Sequence, residues 1–206
     1  ANTRLKDRVL YTNHAEAQHA YIDRFASQGV GVLVLDSPID THFIQHLEHK
    51  LHPVRFARVD SDTPEALLEG ASKSEELDKE FGELIKKQLG KEQLEVKAKK
   101  LENPALPCLI VQSEQLRRFS DLTSLMQGKP GETLLDGHTF IVNTAHPLAT
   151  RLKLWSTMPE KADEAKGLVQ TLYDLALLQQ GGLKGEALSN FVSKAARWIE
   201  TATEKG

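Results

Sequence analysis

Four histidines, His42, His46, His49 and His52, crowd one stretch, and the first three fall at i, i+4 and i+7, so a helix would align their rings along one side. Neutral imidazole is a common metal ligand, and zinc is the ion such a spacing invites. A tetrahedral site needs further donors, and no cysteine or carboxylate is spaced to complete it. On the same helix Ile39, Phe43, Leu47 and Leu51 recur at helical spacing and are expected to form the buried stripe, leaving the histidines on a solvated edge. No metal is expected there. Cys108 lies in an apolar run, where a thiol packs as a small hydrophobe. No Ser/His/Asp or Cys/His set has a supporting local motif, so no catalytic residue is assigned.

The elements that carry these groups alternate strand and helix. Val9 to Tyr11, Val32 to Leu35 and Val54 to Val59 read as strands, and Ala17 to Phe25 and Ile39 to Leu51 as helices, which makes a small α/β unit. Gly29 stops the first helix, and Ser37-Pro38 reads as an N-cap with proline at the first helical position. Asp36, at the end of Leu33-Val34-Leu35, is similar to the phospho-acceptor aspartate of bacterial receiver domains. That chemistry needs a second acidic group for magnesium, and the loop Thr12-Asn13-His14 offers none, so Asp36 is expected only to cap the strand end. Gly29-Val30-Gly31 follows a helix instead of opening one and is no phosphate cradle.

Between Asp60 and Ser72 the chain turns polar and acidic, with Pro64 inside, and a domain boundary is placed there, dividing residues 1–62 from 63–206. Ser72-Lys73-Ser74-Glu75 has capping-box form ahead of a helix through Leu77, Phe81, Leu84, Ile85 and Leu89. Strands follow at Leu94 to Leu101, Cys108 to Val111 and Thr139 to Val142, with a helix from Leu116 to Met126 between the last two, an α+β pattern. Gly128-Lys129-Pro130-Gly131 is a turn. The Leu116 helix carries a broad apolar face, Leu116, Phe119, Leu122, Leu125 and Met126, with Arg117, Asp121 and Ser124 opposite. That face either packs on its own sheet or meets a partner.

Two amphipathic helices close the chain. Leu168, Leu172, Leu175 and Ala176 repeat on the first, and Leu188, Phe191, Val192, Ala195, Ile199 and Ala202 on the second, with Gly181-Gly182 as the break. Each fully buried Leu, Ile, Val or Phe contributes roughly 1.5 to 3 kcal/mol. Little chain remains to cover both faces, so a twofold homodimer with a four-helix bundle is expected through Leu168, Leu172, Leu175, Leu188, Phe191, Val192, Ala195 and Ile199. The competing arrangement folds both helices onto the chain's own sheet.

Composition narrows the classes. Of 206 residues 40% are hydrophobic and 27% charged, as in ordinary globular proteins, and the net charge of -3 gives no general attraction for nucleic acid or an acidic membrane. Lys97, Lys99 and Lys100 alternate as a solvated strand face does. No apolar run approaches the roughly 20 residues of a membrane span, and no signal peptide is visible. One cysteine implies no internal disulfide and a reducing, cytoplasmic setting. The charged opening Asn2-Thr3-Arg4-Leu5-Lys6-Asp7-Arg8, directly before a strand, reads as a cut from a longer protein.

Three segments carry a family likeness. The first is Val9-Leu10-Tyr11-Thr12, a helix, then Gly31-Val32-Leu33-Val34-Leu35 leading into Ile39-Asp40; the second is Phe140-Ile141-Val142-Asn143-Thr144-Ala145-His146-Pro147-Leu148. The third is Leu172-Tyr173-Asp174-Leu175-Ala176-Leu177-Leu178 with the Phe191 helix behind it. In this order and spacing the chain resembles the carboxyl-terminal part of the bacterial ninety-kilodalton heat-shock chaperone family, high-temperature protein G.

The resemblance implies that residues 1–62 are the last α/β layer of the family's middle domain and 63–206 its carboxyl-terminal dimerisation domain. It implies an ATP-driven parent clamp for unfolded or partly folded proteins, with ATP and magnesium in an amino-terminal domain outside this piece, which would itself need no cofactor and hydrolyse nothing. The Leu116 helix would meet clients through Leu116, Phe119, Leu122, Leu125 and Met126, and Phe43 would add an aromatic contact. Arg118 departs from the pattern where an apolar residue is expected, and Thr144 stands where the family often has proline. The end Thr203-Glu204-Lys205-Gly206 is unlike the acidic tail that binds tetratricopeptide partners. The other readings are a receiver-like or metal-binding α/β signalling module and a plain dimerisation scaffold.

Overall fold

A computed structural model describes residues 5, 7–37, 39–61, 75–101, 103–126 and 137–204. Its first half is a parallel sheet of β1 (Arg8–Thr12), β2 (Val32–Val34) and β3 (Arg55–Arg58) in the order β2-β1-β3, with α1 (His19–Ser27) and α2 (Asp40–Lys50) as the crossovers that parallel pairing requires. Strand side chains alternate between faces, and β1 shows it directly. Leu10 packs with Tyr21, Phe25 and Val30 beside α1, whereas Tyr11 packs with Ile44 and Phe56 beside α2. Each helix therefore covers one face of the sheet.

The second sheet is mixed. β4 (Glu95–Lys99) runs parallel to β6 (His138–Asn143), and β5 (Cys108–Gln112) runs antiparallel to it, in the order β4-β6-β5. One face is covered by α3 (Glu75–Leu89), α5 (Pro147–Ser156) and α6 (Ala162–Gln179), which seat Ile85, Leu152 and Leu172 against Cys108, Ile110 and Phe140. α3 approaches β4 closely through Gly82, where an added Cβ would stand 3.1 Å from the Val96 carbonyl oxygen. At the β4 edge Lys97 and Lys99 are exposed while Ala98 is buried, a charged edge that discourages further strand pairing.

Several expectations shift. Ser37 is not the N-cap of α2: the helix starts at Asp40, whose carboxylate accepts the Ser37 N–H at 2.9 Å, and Pro38 lies outside the described residues. The Ser72 capping box, the 62/63 boundary, the Gly128 turn and the last two residues also lie outside them. α5 was not anticipated. Pro147 opens it, and His146 caps it by accepting the Leu148 N–H on Nδ1 at 3.1 Å. Just before it, buried Asn143 ties β6 to residues 101–106: its Oδ1 accepts the Leu101 N–H, and its Nδ2 donates to the Asn103 and Leu106 carbonyls. α6 ends in a Schellman motif, with Gly181 at φ 66° and the Gly182 N–H on the Leu177 carbonyl at 2.9 Å.

Candidate functional site

α4 (Glu114–Met126) joins the two halves through its charged residues. Glu114, at its first turn, accepts from Tyr11 Oη at 2.8 Å and from the Arg58 backbone N–H at 3.0 Å. Arg118 donates from Nε to Glu114 at 2.9 Å and through Nη1 and Nη2 to both oxygens of Glu48 on α2, at 2.9 and 3.0 Å. Nη2 also reaches the Phe56 carbonyl at 3.1 Å, while Glu48 accepts the Phe56 N–H at 2.7 Å. These side chains satisfy the outward backbone groups of β3, an edge strand otherwise open to pairing. Burial together with the Glu114 charge raises the Tyr11 hydroxyl far above its ordinary value, so it stays a donor.

Burial pushes the Glu48 carboxyl up, but the Arg118 and Phe56 hydrogen bonds and the Arg118 and Arg55 charges outweigh it and hold the group below the ordinary range. The pH dependence follows from that direction. Stability from Glu48 is fully present above the unfolded carboxylate value of about 4.3 and is lost as pH falls through the depressed folded value. Urea unfolding of wild type and Glu48→Gln should differ by a constant amount between about pH 7 and pH 5, and the gap should close in stronger acid. A gap that widened in acid would contradict the lowered value.

A second cluster lies deeper. Arg117, expected on a solvated face, is 1% exposed and forms an ion pair with Asp60 at 3.0 Å. Asp60 also accepts from Arg58 Nε at 2.9 Å and from Gln18 Nε2 at 2.8 Å. Beside it Gln180, at the end of α6, donates to Tyr21 Oη at 2.6 Å and to the Ile110 carbonyl at 3.0 Å, tying α6 to α1. None of this seam was anticipated. Its partners are far apart in sequence, and the one signal was an Arg-Arg pair in a helix expected to show an apolar residue.

On the apolar side of α4 the described side chains are exposed. Phe119 is 67% and Met126 81% exposed, Leu116 is exposed too, and none of the three joins a buried cluster. The Leu122 and Leu125 side chains lie outside the described residues. On α2 the expected stripe is corrected. Ile44 is the buried residue and Leu47 packs beside it, whereas Ile39, Phe43 and Leu51 are exposed, because the sheet meets the helix one step round from the face chosen by periodicity. His42, His46 and His49 are exposed. Among the described residues no group of three or more His, Cys, Asp or Glu is placed to hold a metal ion. Asp36 is exposed. Cys108 is buried, donates to the Leu172 carbonyl at 3.1 Å and has its thiol pushed up to about 12 by burial, as suits a packed thiol.

The closing helices divide. In α6 Leu172 is 2% exposed and serves its own chain, which corrects its assignment to the dimer surface, while Leu168 is half-buried against the same core. The sheet needed a covering helix and α6 supplies it. Leu175, seven residues after Leu168 and beside it on the helix, is half-buried, and Leu178 is exposed. Among the described residues of α7 (Gly185–Glu204) none joins a buried cluster: Val192 is 57% and Ile199 65% exposed, Leu188, Phe191 and Ala195 are half-buried, and Trp198, absent from the expected surface, is exposed. Among the described residues no helix is long and apolar enough to cross a membrane.

Comparison with known proteins agrees with the resemblance. The family described as Hsp90 protein matches residues 11–205. The chaperone protein HtpG of Bacteroides fragilis is 27% identical over 261 residues, covering 92% of this chain and 38% of the relative. That of Porphyromonas gingivalis is 28% identical over 262 residues with the same coverage, so the chain spans 38% of the length of these relatives. A match over nearly all of its residues shows that the chain belongs to the Hsp90 protein family.

Proposed function

We propose that this chain is the carboxyl-terminal portion of an HtpG-type chaperone, in which residues 1–62 end the middle domain and 63–206 form the dimerisation domain. Two copies join through α7, and unfolded or partly folded proteins meet the exposed apolar groups of α4 and Phe43. ATP and magnesium act in another region of the parent, which works in the cytoplasm. The observation that carries the reading is the apolar stripe of α7, Val192, Trp198 and Ile199 with half-buried Phe191 beside them, which its own chain leaves largely uncovered. Such a surface suits a twofold partner that presents the same residues.

Sedimentation across a concentration series should return the dimer mass, and a monomer at every concentration would overturn the assembly. For the client surface, Phe119→Glu with Met126→Glu should weaken suppression of aggregation of reduced, unfolded lysozyme while leaving the assembly intact. Undiminished suppression would remove α4 from the role and leave a dimerisation scaffold.

A further inference from the structure

α4 is an amphipathic helix whose described apolar side chains are exposed. None of its described apolar side chains enters a buried cluster, and its attachment is ionic, through Glu114, Arg117 and Arg118 within its first turn and a half. Arg117 meets Asp60 as an ion pair without an aligned hydrogen bond at any guanidinium nitrogen, so that contact sets distance more than direction. Arg118 is different. It makes four hydrogen bonds, to Glu114, to both oxygens of Glu48 and to the Phe56 carbonyl. A planar guanidinium bound bidentately to a carboxylate fixes an angle as well as a separation. Glu48 stands on α2, five residues after exposed Phe43, and Phe119 directly follows Arg118.

We propose that Arg118 is a positioning residue: by gripping Glu48 and Glu114 it sets the direction in which α4 leaves the first sheet, and so holds Phe119 and Met126 in one fixed arrangement with Phe43. The grip joins the two helices on which the client surface was placed, so the proposal rests on that reading. It also explains the charged residue at a position where an apolar one was expected. An apolar side chain there would leave Glu48, the Phe56 carbonyl and the start of α4 without their common partner.

The test uses the full chain with Gln45→Cys on α2 and Gln115→Cys on α4, both exposed positions, carrying spin labels and diluted into unlabelled chain. Cys108 is buried and stays unlabelled. The distance distribution should be a single narrow peak. Arg118→Met should broaden it, and Arg118→Lys, which keeps the charge but not the fork, should broaden it nearly as much. Should Arg118→Met fail to fold, Glu48→Gln gives the same readout with a smaller change. A peak that stays narrow in these variants overturns the proposal. Suppression of lysozyme aggregation should fall several-fold in Arg118→Met, and full suppression despite a broadened peak would overturn the link to capture. If Phe119→Glu with Met126→Glu leaves suppression untouched, the client reading fails by itself, and the label distances still decide whether Arg118 sets the helix direction.

Discussion

Deleting α7 from Gly185 onward is expected to give a folded monomer. The fold should survive because no described residue of α7 belongs to a buried cluster, while α6, which seats Val169 and Leu172 in the larger core, is retained with its Gly181-Gly182 cap. The assembly should not survive. Burying Phe191, Val192 and Ile199 from each copy contributes roughly 1.5 to 3 kcal/mol per side chain, enough for tight pairing after the cost of association is met. Light scattering should show half the mass, and the urea transition should lose its dependence on protein concentration. Val192→Asp with Ile199→Asp is the milder form. Both side chains are exposed in the single chain, so the charges damage only a surface that another copy covers. A dimer that persists in both variants would place the interface elsewhere, with Leu154 and Leu178 the next exposed apolar groups to examine.

The helices of this fold were readable because their apolar residues recur every three or four positions, but periodicity does not say what covers a stripe. In α6 Leu172 was taken for a dimer contact and proved to belong to the lid of the second sheet. On α2 two overlapping stripes fit the same pattern, and the buried one runs through Ile44, not Phe43. α5 went unnoticed although Pro147, at a first helical position, marked its start. The seam between the sheets was beyond reach for a different reason. A charged residue on a helix is normally solvated, and what buries Arg117 is an aspartate 57 positions earlier, in a stretch whose polarity marked it as a linker. Local composition carries no trace of such a pairing.

That pairing makes Asp60 the residue whose loss should cost most. Asp60→Ala leaves Arg58 and Arg117 facing each other at side-chain exposures of 3% and 1% with their shared carboxylate gone. Removing one partner of a buried ion pair costs about 3 to 5 kcal/mol, because the remaining charge stays desolvated. For a domain whose whole stability is typically about 5 to 15 kcal/mol, that is a large fraction. The urea midpoint should fall accordingly with an unchanged slope. Asp60→Asn should cost less, since the amide oxygen can still accept from Arg58 or Gln18. The decisive comparison is Asp60→Leu with Arg117→Met, which removes a negative and a positive charge together. If the penalty is uncompensated charge, this double variant recovers part of the loss, with a coupling of about 0.5 to 3 kcal/mol between neighbouring sites, the remainder belonging to Arg58, which still lacks the carboxylate. If it is lost shape, the two losses add. A loss under about 1 kcal/mol for Asp60→Ala would place the pair among solvent-screened surface contacts and would remove the ionic seam as the joint between the two sheets.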